Sequence, residues 1–183
     1  MNGEMKLKLD DEPRLNTEDR SAHHTPMKAR ARRFVVVVDD SDEAQVAIRF
    51  AAGRSAHIDG GGLVLFHCVR SAEFSHWIGV ADRMLQEAHA EANEMMDRVV
   101  ERMEAYCGIH ADIHIVEGEP KEELKSFIEE AGDIFMLVLG ANKDGEQPGP
   151  LVDYFSGPLV GSLKCPLMIV PGAMTNDDVD RMV

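Results

Sequence analysis

The chain has 183 residues, of which 44% are hydrophobic and 28% charged, so it can form one domain with a buried core, which excludes wholesale disorder. The net charge is −14, and it is unevenly spread: residues 1–33 carry 8 basic and 6 acidic side chains, which leaves 11 basic and 27 acidic ones for residues 34–183. A domain this negative repels phosphate backbones, and we therefore expect no nucleic-acid partner.

Two further absences bear on location. No apolar run approaches the ~20 residues of a membrane span, and residues 1–10 lack the apolar core of a signal peptide. The cysteines Cys68, Cys107 and Cys165 are scattered and odd in number, which favours reduced thiols over a disulfide framework. We expect a cytoplasmic protein without a membrane association.

The first 33 residues predict a flexible polar leader, because no helical or strand periodicity extends through them. The leader ends in the basic cluster Lys28–Arg33. A solvated linker to the acidic domain explains this cluster more simply than a contact with an anion does, although both interpretations are open.

The apolar run Phe34–Val38 has no alternation, which is typical of a strand buried on both faces of a parallel sheet. Asp39, Asp40 and Ser41 follow it, and Asp40 or Ser41 can cap a helix whose apolar residues recur every three or four positions. The later segments alternate in the same way between apolar runs and helical periodicity. In chain order we predict a strand over 63–69, a helix over about 80–106 with a methionine-rich core stripe, a strand over 113–116, a helix from Pro120 to near Gly132, a strand over 134–139, a short helix around 154–163, a strand over 167–170, and a frayed acidic tail over 172–183.

Five strands that alternate with four helices predict an α/β fold, a doubly wound sandwich around a parallel sheet. Ligands of such sheets bind beyond the carboxyl ends of the strands. In this chain those ends carry Asp39–Ser41, Val69 with Arg70, and Gly140 with the polar loop that follows it.

Specific residues argue against several functional classes. A dinucleotide site needs a glycine-rich turn after the first strand, where this chain has acidic residues. A phospho-receiver domain needs an aspartate after the third strand, where Val116-Glu117-Gly118 stands. Cys107, His110 and His114 lack the further ligands of a metal site, His67 fits a hydrogen-bonded core histidine, and Ser41 has no histidine partner. We predict neither a metal site nor catalytic residues.

The ordered landmarks of the chain resemble the universal stress protein family from Arg33 to about Pro171. The matching segments are Val36–Ser41, Val116–Pro120, Leu137–Gly140 and Lys164–Val170. The resemblance implies a five-stranded parallel sandwich of the adenine nucleotide alpha hydrolase type with strand order 3-2-1-4-5. It therefore implies three parts: the leader 1–33, a universal stress protein domain over 34–171, and the tail 172–183.

Many members of this family bind ATP through a loop of the pattern Gly, two residues, Gly, nine residues, Gly and Ser or Thr. The glycines and the hydroxyl let backbone N–H groups close on the phosphates. In this chain the four positions hold Gly140, Lys143, Asp153 and Tyr154, so only the first is retained. Asp153 would place a carboxylate beside the phosphate oxygens. Asp39 is retained, and the resemblance implies that it contacts the base or the ribose of the nucleotide.

The resemblance thus implies weak or no ATP binding and no required cofactor, with a nucleoside or a cationic metabolite as open alternatives. A purely structural loop is another open alternative. The candidate ligand-binding residues are Asp39, Val69, Leu139, Gly140, Lys143, Asp153 and Tyr154.

The resemblance also implies a homodimer through the last strand, whose residues Leu167, Met168, Ile169 and Val170 form an apolar edge. The sequence therefore leaves two hypotheses of function. The first is a non-catalytic stress-response protein that acts through protein partners. The second is a sensor of a nucleotide or another small ligand that uses Asp39 and the segment Gly140–Tyr154.

Overall fold

The computed structural model describes residues 32–70, 78–143 and 147–183, and within 78–82 it describes only the backbone. The predictions for residues 1–31 lie outside the described residues. Strands and helices alternate along the rest of the chain. They are β1 (Arg32–Val37), α1 (Asp42–Ala56), β2 (Gly61–Val69), α2 (Ile78–Cys107), β3 (Ala111–Glu117), α3 (Pro120–Ala131), β4 (Ile134–Ala141), α4 (Pro150–Ser156), a 3-10 turn (Val160–Ser162), β5 (Leu167–Pro171) and α5 (Asn176–Asp180).

The five strands form one sheet in the order β3-β2-β1-β4-β5, and every neighbouring pair is parallel. This confirms the predicted fold class and strand order. β1 lies at the centre, where Val36 is in register with Leu65 of β2 and Val138 of β4. The order reverses on either side of β1, so the carboxyl ends of β1 and β4 meet where a doubly wound sheet binds its ligands.

The sheet is covered on both faces, and each face has its own core. Phe34, Val36 and Val38 pack with α1 and α2, whereas Val35 packs with α3 and α4. The side chains of a strand point alternately to opposite faces, so a strand buried on both sides must be apolar at every position. This burial on both faces explains the uninterrupted run of apolar residues in β1.

Helix α2 carries the methionine-rich stripe, and its described side chains follow the predicted pattern. Met95, Met96 and Met103 are buried in the first core, while Met84 nearer the start of the helix is exposed. The stripe is therefore mainly core, as predicted. None of the helices in the described part of the chain combines the length and the apolarity that a membrane crossing requires.

The short helix predicted around 154–163 is wrong in its position. Helix α4 begins four residues earlier, at Pro150, and only a 3-10 turn forms over 160–162. Proline suits the first helical position because its φ is already near the helical value and its missing N–H would have no partner there. Gly149 precedes it with a φ of 108°, a conformation that favours glycine.

The segment after β5 is an ordered part of the fold, so the prediction that residues 172–183 fray is wrong. Thr175 and Asp178 form a reciprocal capping box at the start of α5. Val179 is completely buried in the core shared by α1 and α2. We call residues 174–183 the strap, because they cross α1 and reach α2.

The strap is tied down by one carboxylate. Arg49 of α1 donates from Nε and Nη2 to the two oxygens of Asp180, each at 2.7 Å. The hydroxyl of Tyr106 on α2 donates to Oδ1 of the same residue at 2.8 Å, and the Arg49 guanidinium lies 3.8 Å from the centre of the Tyr106 ring. The hydrogen bonds from Arg49 and Tyr106 lower the pKa of Asp180 from 3.8 to about 2.

This lowered pKa predicts an acid-dependent stability difference between the protein and its Asp180→Asn variant. A carboxylate whose pKa is lower in the folded state stabilises that state fully above 3.8, and the contribution is lost as the pH falls towards about 2. We therefore expect the variant to be less stable at neutral pH and the difference to shrink below about pH 4. Urea unfolding of both proteins between pH 7 and pH 3 measures this, and a difference independent of pH would contradict the assignment.

Candidate functional site

A cleft opens at the carboxyl ends of β1 and β4, where the topology predicts a ligand site. Its walls come from the end of β1, the first turn of α1, the end of β4 and the start of α4. The cavity volume is about 90 Å³, whereas small-molecule sites usually have volumes of roughly 300 Å³ or more. The lining residues are Val37, Asp39, Ser41, Glu43, Ala44, Leu139, Gly140, Asn142, Gly149, Pro150, Leu151 and Val152.

Asp39 lies at the mouth of the cleft and is engaged in the turn that starts α1. One of its oxygens, Oδ1, accepts from the backbone N–H of Ser41 at 2.9 Å and also from the Ser41 hydroxyl. The Ser41 Oγ in turn accepts from the N–H of Ala44 at 3.2 Å and caps the helix. No such bond is made by the second oxygen of Asp39 among the described residues, so a ligand donor could reach it.

Gly140 is where β4 passes closest to α1. A Cβ atom added at this position would lie 2.5 Å from the carbonyl oxygen of Glu43 and 2.7 Å from its carbonyl carbon. Both are backbone atoms, which cannot rotate away. The packing of the sheet against α1 therefore requires a glycine here, whether or not a ligand binds.

Asn142 closes the loop after β4 through one backbone and one side-chain hydrogen bond. Its N–H donates to the carbonyl of Pro148 at 3.0 Å, and its side-chain amide donates to the carbonyl of Gln147 at 3.3 Å. Gly149 follows and is buried beside the Asn142 side chain. Residues 144–146 of this loop, including Gly145, lie outside the described residues.

Four predicted site residues do not line the cleft: Val69, Lys143, Asp153 and Tyr154. Because α4 begins at Pro150, Asp153 falls at the end of its first turn and Tyr154 follows it, so neither is the first residue of the helix. The Tyr154 hydroxyl donates to Oε1 of Glu122 on α3 at 2.9 Å, and this hydrogen bond raises the pKa of Tyr154. Lys143 and Asp153 are exposed.

Val69 lies in a second cavity of about 450 Å³, at the end of β2 and beside α2. Its carbonyl accepts the N–H of Gly118 at 3.1 Å. This cavity also contains His67, whose Nδ1 is 2.8 Å from the carbonyl of Val38. The structure therefore brings Asp39, Leu139 and Gly140 together in the cleft. It places Val69 in the second cavity.

The ionisable residues that line the cleft are Asp39 and Glu43, and no lysine, arginine or histidine accompanies them among the described residues. The start of α4 contributes a proline, which has no N–H to offer to an anion. The two carboxylates repel a polyphosphate, and the missing N–H removes one hydrogen bond that a phosphate could accept. Both features are compatible with a neutral or cationic ligand.

Within the described ranges no three His, Cys, Asp or Glu side chains converge on a point that could hold a metal ion. All three cysteines are free thiols. Burial raises the pKa of the Cys68 and Cys165 thiols, which disfavours the reactive thiolate form.

Strand β5, the predicted dimer interface, lies at one edge of the sheet. Among the described residues β5 pairs only with β4. Along this strand Leu167 and Met168 are half-buried, Ile169 is exposed and Val170 is buried. Val160, just before β5, is 53% exposed.

Sequence reasoning missed Glu43, Asn142 and Gly149 as parts of the cleft. Glu43 and Asn142 carry no recognisable motif. The Gly149-Pro150 pair did carry a signal, because a proline after a glycine commonly marks the first position of a helix.

Comparison with known proteins adds three findings to this geometry. The model of the universal stress protein family matches residues 30–171. The universal stress protein Rv2623 of Mycobacterium tuberculosis is 29% identical over 145 residues, which are 75% of this chain and 46% of that protein. The chain thus spans about half the length of the curated relatives it matches.

Two solved structures support the fold. UspA from Lactobacillus plantarum superposes with a TM-score of 0.65 at 21% identity, covering 77% of this chain and 98% of that one. The universal stress protein from Archaeoglobus fulgidus in complex with dAMP superposes with a TM-score of 0.54 at 21% identity, covering 75% of this chain and 96% of that one. At these identities the likeness concerns the fold alone.

Proposed function

Because this chain belongs to the universal stress protein family, we propose that it is a non-catalytic stress-response protein that binds ATP weakly or not at all and acts through protein partners. The proposal includes a cytoplasmic location. The presence of three free thiols is compatible with that location.

The observation that carries the proposal is the composition of the cleft. Asp39 and Glu43 oppose a triphosphate, and Pro150 removes a donor at the start of α4. The cavity volume of about 90 Å³ is below the roughly 300 Å³ of ordinary small-molecule sites. The family signature loses three of its four positions at Lys143, Asp153 and Tyr154, so the sequence and the cleft agree.

A second function is favoured by the free oxygen of Asp39 and by the A. fulgidus relative that holds dAMP. In this alternative the cleft binds a nucleoside or a cationic metabolite and the protein is a small-ligand sensor. Hydroxyl or amino groups of such a ligand would donate to Asp39, and no phosphate would need to be accommodated.

Isothermal titration of the purified protein with Mg-ATP and with adenosine separates these functions. We expect no measurable heat from ATP at millimolar concentration. Adenosine binding that is lost in the Asp39→Asn variant would favour the sensor. The A. fulgidus protein with dAMP is the positive control for the assay, and micromolar ATP binding by this chain would refute the proposal.

We also propose that the protein forms a homodimer by pairing of β5 between two copies. Ile169 and Val160 supply exposed apolar surface at this edge, and an unpaired apolar edge favours a partner strand. Pro166 and Pro171 flank the strand and would limit the ladder to its central residues.

The substitution Ile169→Lys tests the dimer, because it places a charge in the centre of the proposed interface. We expect light scattering after gel filtration to give twice the chain mass for the unmodified protein and a single chain mass for the variant. Ile113→Lys is the matched control, since Ile113 is 42% exposed on the opposite edge strand β3. If the control dissociates the dimer and Ile169→Lys does not, the interface is on the other edge.

A further inference from the structure

The second cavity, at the end of β2, has the size of a ligand site. Its volume of about 450 Å³ falls in the range of ordinary small-molecule sites, roughly 300–1,000 Å³. The ends of β1 and β2 bound it on one side and the middle of α2 on the other, whereas the cleft is bounded by β4, α1 and α4. Asp39 lines the cleft and Asp40 lines the second cavity, so the two sites are distinct.

His67 gives the second cavity a hydrogen-bond acceptor whose protonation is fixed by the fold. Its Nδ1 lies 2.8 Å from the carbonyl oxygen of Val38. Because a carbonyl oxygen only accepts, Nδ1 carries the proton, and the neutral ring has its lone pair at Nε2. Among the described residues Nε2 has no hydrogen-bond partner. The half-buried ring can therefore accept a hydrogen bond from a ligand, and an ammonium group is a suitable donor.

Both walls of the second cavity carry charges of both signs. The strand wall has Asp40 and Arg70, and the helix wall has Glu91, Glu94 and Arg98, all of them exposed. In the described part of the chain neither guanidinium forms a salt bridge with a carboxylate. An anion alone would meet three carboxylates here, and a cation alone would meet two guanidinium groups. A ligand that carries one charge of each sign satisfies both sets.

The surface between these charges is apolar and recessed. Val69 and Met95 are buried, and Ala88 and Ala92 lie four positions apart on the same side of α2. Because alanine side chains are short, the wall is set back at this point, and a longer side chain at position 88 would occupy the cavity. The ligand that fits therefore has an apolar part as well as its two charges.

We propose that the second cavity binds a small zwitterion with an apolar side chain, of the class of free α-amino acids. Arg70 and Arg98 bind its carboxylate, because guanidinium groups match carboxylate geometry. His67 and Asp40 accept hydrogen bonds from its ammonium group, and the apolar side chain packs against the two alanines. This inference goes beyond the proposed function, since it assigns a ligand without phosphate to a site outside the cleft.

The first test is isothermal titration of the full chain with L-leucine, L-methionine and L-phenylalanine. We expect at least one of them to bind, and derivatives of the tightest binder then test each part of the recognition. The N-acetyl derivative removes the ammonium charge, the amide removes the carboxylate, and glycine lacks the apolar side chain. Each should bind at least tenfold more weakly, the effect of losing one charged or well-packed contact.

Two substitutions on α2 locate the binding site, and each has a matched control on the same helix. Ala88→Leu fills the second cavity and should abolish binding. Ala90→Leu should leave binding unchanged, because Ala90 is exposed and does not line the cavity. Arg98→Gln should weaken the free amino acid at least tenfold and leave the amide unaffected, whereas Arg102→Gln, which is outside the cavity, should change neither.

Far-UV circular dichroism verifies that every variant is folded. If none of the three amino acids releases heat, or if Ala88→Leu and Ala90→Leu bind equally well, the second cavity is not a site for a zwitterion. Binding that is lost in Asp39→Asn and retained in Ala88→Leu would place the ligand in the cleft and overturn the inference. Micromolar ATP binding would refute the proposed function and leave this result unaffected.

Discussion

Replacing Gly140 by alanine is expected to destabilise the protein by about 3 kcal/mol, at the upper end of the cost of overpacking. The added methyl group would lie 2.5 Å from the carbonyl oxygen of Glu43. Relief would require β4 and the start of α1 to move apart, because the opposing atoms belong to the backbone. The glycine that looks like the remnant of a phosphate loop is thus required by packing.

Urea unfolding measures this effect, with Gly161→Ala as the matched control. A Cβ added at Gly161 meets no atom within 4 Å, so we expect its unfolding free energy to change by less than about 0.5 kcal/mol. Equal, small effects at both glycines would show that Gly140 is not held by packing, and a ligand role would then explain its presence better.

The second large effect is expected for Val179→Asp in the strap. Val179 is fully buried, and complete burial of a valine side chain stabilises a fold by about 1.5–3 kcal/mol. An unpaired carboxylate cannot remain in that core, so we expect the strap to detach and the free energy of unfolding to fall by about 2 kcal/mol. Hydrogen exchange should then accelerate in α5 and leave β1 protected.

Met182→Asp is the matched control for this substitution, because Met182 belongs to the same segment and is 56% exposed. We expect it to leave both the stability and the exchange of α5 nearly unchanged. If Val179→Asp behaves like this control, the strap contributes little to the fold, which would contradict the structure.

The sheet could be predicted from the sequence because its central strand has an unambiguous pattern. A run without alternation, Phe34–Val38, fits only a strand that is covered on both faces. The crossover lengths then leave few topologies, and the family resemblance selects the observed order. The Ser41 cap and the left-handed Gly132 at the end of α3 follow from local rules of helix termini.

The strap was not predicted because its few apolar residues form no long periodic pattern. The sequence of helix α1 nevertheless carried a signal, since every residue from Val46 to Ala52 except Arg49 is apolar. A helix that is apolar around most of its circumference must be covered on its outer side as well as against the sheet. Phe50 and Gly53 together indicated that something packs over α1.

The cleft was predicted in its location and only partly in its residues. Asp39, Leu139 and Gly140 stand at strand ends, where topology alone places them. Asp153 and Tyr154 were assigned from their spacing to Gly140 in the family's loop pattern, and such a spacing does not reveal where a helix begins. The start of α4 at Pro150 decides which backbone groups face the cleft.

We propose that this universal stress protein does not depend on ATP. The most direct test is to denature the purified protein, separate the released small molecules by chromatography and identify them by mass spectrometry. We expect no adenine nucleotide in amounts approaching one per chain. ATP or ADP near one equivalent per chain would contradict it and would show that a cleft lined by Asp39 and Glu43 binds a nucleotide despite its lost phosphate loop.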